Sequence, residues 1–203
     1  FYSCLYRVLL FPRKFYEFDE QERMVHYSPY NGEVVPGYMF TDNGFWDTFR
    51  AVFPFYTLFY PALNAQIMKG LVNTYKESGW LPEWASPGHR DCMIGSNSAS
   101  LIADAYLKGI RDFDVQKAFT AMKKSSMEDI HGLKYYKKYG FIPADKEGES
   151  VSKTLEYAYD DWCIAQIAKK AGKTKVYDEY MKRSGYYMNV YDTDIGYMRH
   201  KLS

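Results

Sequence analysis

The feature that most limits the possible folds of this chain is an alternation between two kinds of helical segment. Residues 98–110 and 150–171 leave little polar surface, whereas residues 114–124 and 174–184 carry their apolar side chains on one face. An apolar helix needs cover on several sides, and an amphipathic helix needs it on one. This alternation is typical of α-toroids and α-solenoids, which are built from inner and outer helices.

The helix boundaries are predicted from prolines and short polar residues. Pro61 can open a helix that runs to residue 76, and Pro12 should end the first helix of the chain. Elsewhere, a side chain that accepts a backbone N–H can cap the start of a helix. The candidates for this role are Asp42 or Asn43 before a helix over 45–60, and Ser150; Asn97 or Ser98 starts the apolar helix that runs to residue 110.

About seven helices result from these boundaries, and a closed ring of six helix pairs needs about twelve. We therefore predict an all-α fold that comprises about half of an (α/α)6 toroid of paired inner and outer helices, with long ordered loops. No motif recurs at a fixed spacing, which argues against TPR, HEAT and ankyrin arrays. The loops over 18–41, with possible short strands such as 24–27, and over 79–97 are long enough to suggest a functional role.

Charge and composition exclude several classes of protein. The 26 Lys and Arg residues nearly balance the 25 Asp and Glu residues, so no long-range field attracts nucleic acid. No uncharged apolar window is long enough for a membrane span. Three cysteines without CxxC spacing indicate free thiols. Neither a GxSxG, P-loop, GxGxxG nor EF-hand motif is present, so serine hydrolases, NTPases, dinucleotide enzymes and calcium switches are not supported.

The first candidate binding segment is the pair Trp46–Asp47 at the start of a predicted helix. A tryptophan face suits the C–H surface of a sugar, and a carboxylate accepts hydrogen bonds from two hydroxyl groups. An aspartate that only occupies the first turn of a helix beside a core tryptophan explains the pair equally well.

The second candidate segment is the loop over 77–97, which is rich in tryptophan and charged residues. Its possible acid and base residues are Glu77, Glu83 and Asp91, and its possible sugar-binding residues are Trp80, Trp84, His89, Arg90 and Asp91. Alternatively, the tryptophans only plug the helix pair, and Arg90 clamps the loop through a neighbouring carboxylate. His89 has no second His or Cys at ligand spacing, so no metal site is predicted here.

The third candidate segment contains Glu156 and Asp160, which lie one turn apart on the same face of a predicted helix. Like charges at this spacing repel each other unless a cation lies between them. Two interpretations follow: a solvated helix start, or a rim of carboxylates at the mouth of a barrel.

Three long stretches resemble the catalytic domain of glycoside hydrolase family 92: PGYMFTDNGFWDTFRAVFPF, NTYKESGWLPEWASPGHRDCMIGSNSASLIADAY and TLEYAYDDWCIAQIAKKAGK. The resemblance extends over essentially all 203 residues. It implies an exo-acting, inverting bacterial α-mannosidase, in which an N-terminal β-sandwich packs on an (α/α)6 barrel. It also implies that calcium helps to bind and distort a terminal mannose.

The resemblance also implies roles for individual residues. Trp46 and Asp47 match the barrel motif that holds the hydroxyls of the terminal mannose, and His89, Arg90 and Asp91 match a segment at the mouth of the pocket. The family's general acid, general base and calcium segments have no counterpart in residues 1–203. We therefore expect the chain to be an internal part of a longer enzyme and inactive alone, with the sandwich, the second half of the barrel and the calcium ligands elsewhere.

The substrates implied by the resemblance are mannose-terminated glycans, with α-1,2 linkages favoured, in the periplasm or at the surface of a bacterium. Two other interpretations stay open. One is a non-catalytic carbohydrate-binding helical module, and the other is a phosphorolytic enzyme of another (α/α)6 family.

Overall fold

Helices contain about half of the residues in the computed structural model, which describes residues 1–203. The nine α-helices are α1 (Tyr2–Leu10), α2 (Phe45–Thr48), α3 (Val52–Phe59), α4 (Pro61–Ser78), α5 (Ser98–Leu107), α6 (Val115–Ser125), α7 (Leu133–Tyr139), α8 (Ser150–Lys170) and α9 (Thr174–Ser184). A 3₁₀ helix, Gly185–Val190, follows α9. None of these helices is both long and apolar enough to cross a membrane.

Short strands lie mainly in the first 44 residues and in the loop before α5. They are β1 (Arg13–Lys14), β2 (Glu17–Phe18), β3 (Met24–Tyr27), β4 (Val34–Pro36), β5 (Phe40–Thr41), β6 (Asn43–Gly44), β7 (Trp84–Ala85), β8 (Tyr191–Asp192) and β9 (Tyr197–Met198). Every pairing is antiparallel: β1 with β5, β2 with β3 and β3 with β4, β6 with β7, and β8 with β9. The all-α prediction therefore describes the helical part of the chain and omits four small sheets, although the predicted strand over 24–27 is confirmed.

The hydrophobic core lies around α5 and α8, which pack against each other. Most residues of both helices are buried, whereas α9 buries only Tyr180 and Arg183 against α8. The largely buried α5 is rich in small side chains, which allow close approach on several sides. The predicted contrast between enclosed and one-sided helices is therefore present, and closure of these pairs into a toroid stays a prediction.

The predicted helix boundaries agree with the structure where a proline or a glycine fixes them. Pro61 begins α4, and the left-handed Gly79 ends it. Asp114 caps α6, with its side chain accepting a hydrogen bond from the Lys117 N–H at 2.9 Å. Leu10 ends α1 shortly before Pro12.

Two capping predictions are wrong, and α7 was not predicted. Gly44 precedes α2 in an extended conformation, so neither Asp42 nor Asn43 occupies the cap position. Ser150 is already the first residue of α8, because the chain enters this helix through Glu149 at a φ of 54°. No side chain caps either helix start.

Candidate substrate-binding site

Strand pairing places Trp46 and Asp47 beside the loop that precedes α5. Gly44 in β6 pairs with Trp84 in β7, and the Phe45 N–H donates to the Glu83 carbonyl at 3.3 Å. A Cβ at residue 44 would lie 2.7 Å from the Trp84 ring, so only glycine allows this approach. The two segments that were predicted separately from the sequence are therefore neighbours.

Trp46 and Asp47 have different environments in α2. The Trp46 indole N–H donates to Glu156 Oε1 at 3.1 Å, and Arg50 lies over the ring, 4.8 Å from the ring centroid. The Asp47 carboxylate is exposed and forms no hydrogen bond or ion pair within the chain. Asp47 therefore has free acceptor oxygens beside a fixed aromatic ring, and it does not serve as a cap.

A cleft of about 120 Å³ lies between the loop before α5 and the starts of α7 and α8. Its lining residues are mostly polar: Trp80, Glu83, Asp91, Cys92, Met93, Gly95, Ser96, His131, Leu133, Glu149, Lys153 and Tyr157. Three of the predicted site residues, Trp80, Glu83 and Asp91, thus line the same cavity. Aromatic rings next to carboxylates fit a neutral, hydroxyl-rich ligand.

The carboxylates of the cleft are held by neighbouring side chains. The Trp80 indole N–H donates to Glu83 Oε1 at 3.1 Å, and His131 Nδ1 lies 3.5 Å from Asp91 Oδ1. Burial raises the pKa of the Glu83 carboxyl, and the hydrogen bond from Trp80 opposes this shift. Glu83 is therefore oriented before any ligand binds, whereas the Asp91 side chain is 85% exposed.

Gly95 joins the cleft to the edge that Trp46 and Asp47 form. It lines the cleft, has a φ of 84°, and would place a Cβ 2.7 Å from the Glu156 Cβ. Glu156 in turn accepts the Trp46 hydrogen bond. The two parts of the candidate site therefore meet across the first turns of α8.

Glu77 lies outside this site, which corrects its interpretation as a possible acid or base. Its Oε1 lies 2.9 Å from Nε2 of His26, whose side chain is fully buried. A carboxylate in such a pair has no access to a ligand in the cleft. Glu77 therefore connects α4 to strand β3.

The remaining predicted binding residues do not line the cleft. The His89 Nε2 bonds the Ser78 hydroxyl at 2.9 Å, and its ring lies 4.8 Å from that of Tyr30. Trp84 covers Gly44, and Arg90 is exposed, with its backbone N–H donating to the Trp84 carbonyl. Arg90 pairs with neither Asp91 nor Glu83, so the predicted loop clamp is absent.

The carboxylates on α8 separate into two roles that the sequence did not distinguish. Glu156 lies at the edge formed by Trp46 and Asp47 and binds Trp46 and Arg50, so only one of the two carboxylates is at this edge. Asp160 is buried, and its Oδ2 accepts the Ser96 N–H at 2.8 Å beneath the floor of the cleft. Its Oδ1 has no partner. Arg50 pairs with Glu156 alone, and Asp160 has no cationic partner.

The stability of the fold should depend on pH through Asp160. Burial raises the pKa of this carboxyl well above its ordinary value, with Glu156 and Asp161 adding to the shift and the Ser96 N–H opposing it. Above about pH 4 the unfolded chain loses this proton while the folded chain keeps it, so stability falls as pH rises. We expect Asp160→Asn to match the wild type near pH 4 and to be about 1 kcal/mol more stable near pH 8.

Thermal unfolding midpoints from pH 4 to pH 8 test this expectation, with the exposed Asp178→Asn as the control. Asp161 titrates in both proteins, so the informative quantity is the difference between them. A difference that stays constant across this pH range would contradict the prediction.

Metal binding does not follow from the residues present. Nowhere in the chain do three or more His, Cys, Asp or Glu side chains converge closely enough to hold a metal ion. Calcium favours six to eight oxygen ligands, and the cleft carboxylates do not form such a cage. The residues of this chain alone therefore do not fit a calcium site.

The open cleft has aromatic and carboxylate walls on a helical framework, a combination that suits a hydroxyl-rich ligand. The Glycosyl hydrolase family 92 catalytic domain matches residues 1–203 in a comparison with protein families. The chain belongs to this family of glycoside hydrolases.

Solved structures of the family share the fold of this chain. An inverting mannosidase of family GH92 from Bacteroides thetaiotaomicron is 51% identical and superimposes over 100% of this chain with a TM-score of 0.97. A family GH92 α-mannosidase from the same organism is 36% identical, with a TM-score of 0.92. It has also been solved with mannoimidazole. The present chain spans 28% of the length of each of the first two proteins.

A curated relative is the "Uncharacterized secreted glycosidase" of Arthroderma benhamiae, which is 37% identical over 61% of this chain and 18% of its own length. The chain thus spans less than a third of the length of each of these relatives.

Proposed function

We propose that this chain is part of the catalytic domain of an exo-acting, inverting α-mannosidase that removes terminal mannose from glycans, with α-1,2 linkages favoured. The observation that carries the proposal is the free Asp47 carboxylate beside the fixed Trp46 ring. Similarity to an inverting mannosidase over the whole chain supports it. In this proposal the chain contributes sugar-binding residues, and other parts of the same protein complete the site.

Asp47 and Trp46 have different roles in binding the terminal sugar. Asp47 accepts hydrogen bonds from two sugar hydroxyls, since none of its acceptor positions is used within the chain. Trp46 shapes the pocket, because Arg50 already covers one face of its ring. Trp80 and Asp91 in the adjoining cleft contact the sugar or the next unit of the glycan.

The acid and base of the reaction are proposed to lie outside residues 1–203. Glu77 is bound to His26 beneath the surface. The other two carboxylates that the sequence suggested, Glu83 and Asp91, have partners of their own in Trp80 and His131. We assign Glu83 and Asp91 to binding and orientation of the sugar. An inverting hydrolase uses one carboxyl group to protonate the leaving oxygen and another to activate water.

Calcium dependence is a proposal that rests on the family resemblance, with the ligands supplied by other parts of the protein. Bound calcium would help to hold and distort the mannose ring. Residues of this chain would act beside it by fixing the sugar hydroxyls, and no step is assigned to them through the ion.

Other parts of the protein are proposed to cover the apolar face that α1 and α3 expose. Tyr2, Tyr6, Leu9, Leu58 and Phe59 are among the exposed large apolar side chains of these helices. A contiguous apolar surface of this kind is typical of an interface. The β-sandwich and the second half of the barrel are the proposed partners, and we propose a secreted or periplasmic location in a bacterium.

Replacing Asp47 by alanine in the full-length enzyme should lower kcat/KM for release of mannose from α-1,2-mannobiose by about 100-fold or more. The reason is the loss of two hydrogen bonds to a charged acceptor, each worth about 1.5–3 kcal/mol. Enzyme assays of the wild type and of Asp47→Ala measure this loss. Asp178→Ala, at an exposed and unpaired position of α9, is the matched control.

Activity of Asp47→Ala within about threefold of the wild type would refute this role. Parallel assays with EDTA test the calcium requirement, and assays with added inorganic phosphate separate hydrolysis from phosphorolysis. A full-length protein that binds mannosides and never releases mannose would favour the carbohydrate-binding module instead.

A further inference from the structure

One carboxylate oxygen holds two side chains at the edge of the proposed site. Glu156 Oε1 accepts a hydrogen bond from the Trp46 indole at 3.1 Å and another from Arg50 Nη2 at 3.3 Å. The guanidinium carbon of Arg50 also lies 4.8 Å from the centroid of the Trp46 ring. Each of the three side chains therefore contacts the other two, and rotation of the Trp46 ring breaks at least one of these contacts.

The stem of Glu156 contacts the other part of the site. Gly95 lines the cleft, and a Cβ at this residue would lie 2.7 Å from the Glu156 Cβ. The chain can pass here only because residue 95 is glycine at a φ of 84°. Glu156 therefore touches the Trp46 edge through its carboxylate and the cleft through its stem.

Charge balance alone does not account for a carboxylate at this position. The Glu156 side chain is only 16% exposed, and the buried Asp160 lies one turn further along α8. An ionised Glu156 beside Asp160 disfavours the charged form of that buried carboxyl. Arg50 is the only cation paired with Glu156, and half of its side chain is exposed to solvent. An ion pair of this kind contributes little to stability, which points to a positional role.

We propose that Glu156 is a positioning residue that fixes the orientation of Trp46, and with it the adjoining Asp47, relative to the cleft. This inference rests on the proposed function, because it requires the edge formed by Trp46 and Asp47 to bind the sugar. Glutamine can keep a carbonyl acceptor for the indole, but it loses the charge that holds Arg50. Alanine loses both contacts.

The test combines activity with Trp46 fluorescence in the full-length enzyme. We expect Glu156→Ala to lower kcat/KM for α-1,2-mannobiose by about 10- to 100-fold, because misplacement of a binding group is costly, and Glu156→Gln to fall between it and the wild type. The emission spectrum should change in Glu156→Ala, and this change should vanish when the same substitution is made in a Trp46→Phe background. Glu33→Ala, at an exposed position, is the control.

Two results would overturn the inference while leaving the proposed function intact. They are an unchanged Trp46 emission in both Glu156 variants, and a kcat/KM of Glu156→Ala within about threefold of the wild type, in each case with activity still lost in Asp47→Ala. If Asp47→Ala also keeps its activity, the proposed function fails instead. If Glu156→Ala fails to fold, kcat/KM and Trp46 emission are measured for Glu156→Gln instead, with a smaller change expected in each.

Discussion

Replacing Arg183 by methionine is expected to lower the free energy of unfolding by about 3–5 kcal/mol. Arg183 is buried in α9, and its Nε donates to Asp161 Oδ2 in α8 at 2.9 Å. The same oxygen accepts the Tyr136 hydroxyl of α7 at 3.0 Å, and Arg183 Nη2 donates to the Ser126 carbonyl at 2.9 Å. Loss of the guanidinium would leave a buried carboxylate and a buried carbonyl without this partner, which is the costly way to break an ion pair.

The measurement is urea-induced unfolding followed by helical circular dichroism near pH 8. This pH is chosen because burial raises the pKa of Asp161 to about 7, against the opposing effects of Arg183 and Tyr136, so the carboxyl is then ionised. Lys182→Met, at the adjacent exposed position, should change stability by less than about 0.5 kcal/mol. The double variant Asp161→Asn with Arg183→Met should recover part of the loss, because it removes both charges. A loss below about 1 kcal/mol for Arg183→Met alone would contradict the expected role.

Replacing Glu77 by alanine is expected to destabilise the fold by about 2–4 kcal/mol without removing a catalytic group. His26 Nδ1 lies 2.7 Å from the Gly37 carbonyl, which can only accept, so this nitrogen carries a proton. Its Nε2 faces Glu77 Oε1 at 2.9 Å, and one proton is shared across that contact. Alanine at residue 77 leaves the buried imidazole without its partner.

Glutamine at residue 77 distinguishes a structural role from a catalytic one. The amide N–H₂ of Glu77→Gln can donate to the His26 Nε2, so stability should stay within about 1 kcal/mol and kcat within about threefold of the wild type. If Glu77 were the catalytic acid or base, Glu77→Gln would remove most of the enzyme's activity, because an amide cannot transfer the proton. Urea unfolding and mannose release from the full-length enzyme give the two readouts, with Lys76→Ala as the control on the same helix.

The sequence by itself determined where most helices lie and which family the chain resembles. A helix closes its hydrogen bonds within four residues, so local signals suffice: Pro61 and Gly79 bound α4. Helix capping was predicted less well. Glu149, in a left-handed conformation, occupies the cap position of α8, so Ser150 is the first residue of the helix and does not cap it. The four small sheets were largely missed because their strands are mostly two residues long and carry no periodicity.

Only the tertiary structure decided what the candidate residues do. Glu77 and Glu83 are six positions apart and equally acidic in sequence, yet Glu77 binds His26 and Glu83 lines the cleft. Trp46 meets Glu156 across 110 residues, a contact that depends on how α2 packs near α8 and that no local pattern encodes. Tertiary packing determines which side chains of distant segments meet, whereas the local sequence determines where the helices that carry them form.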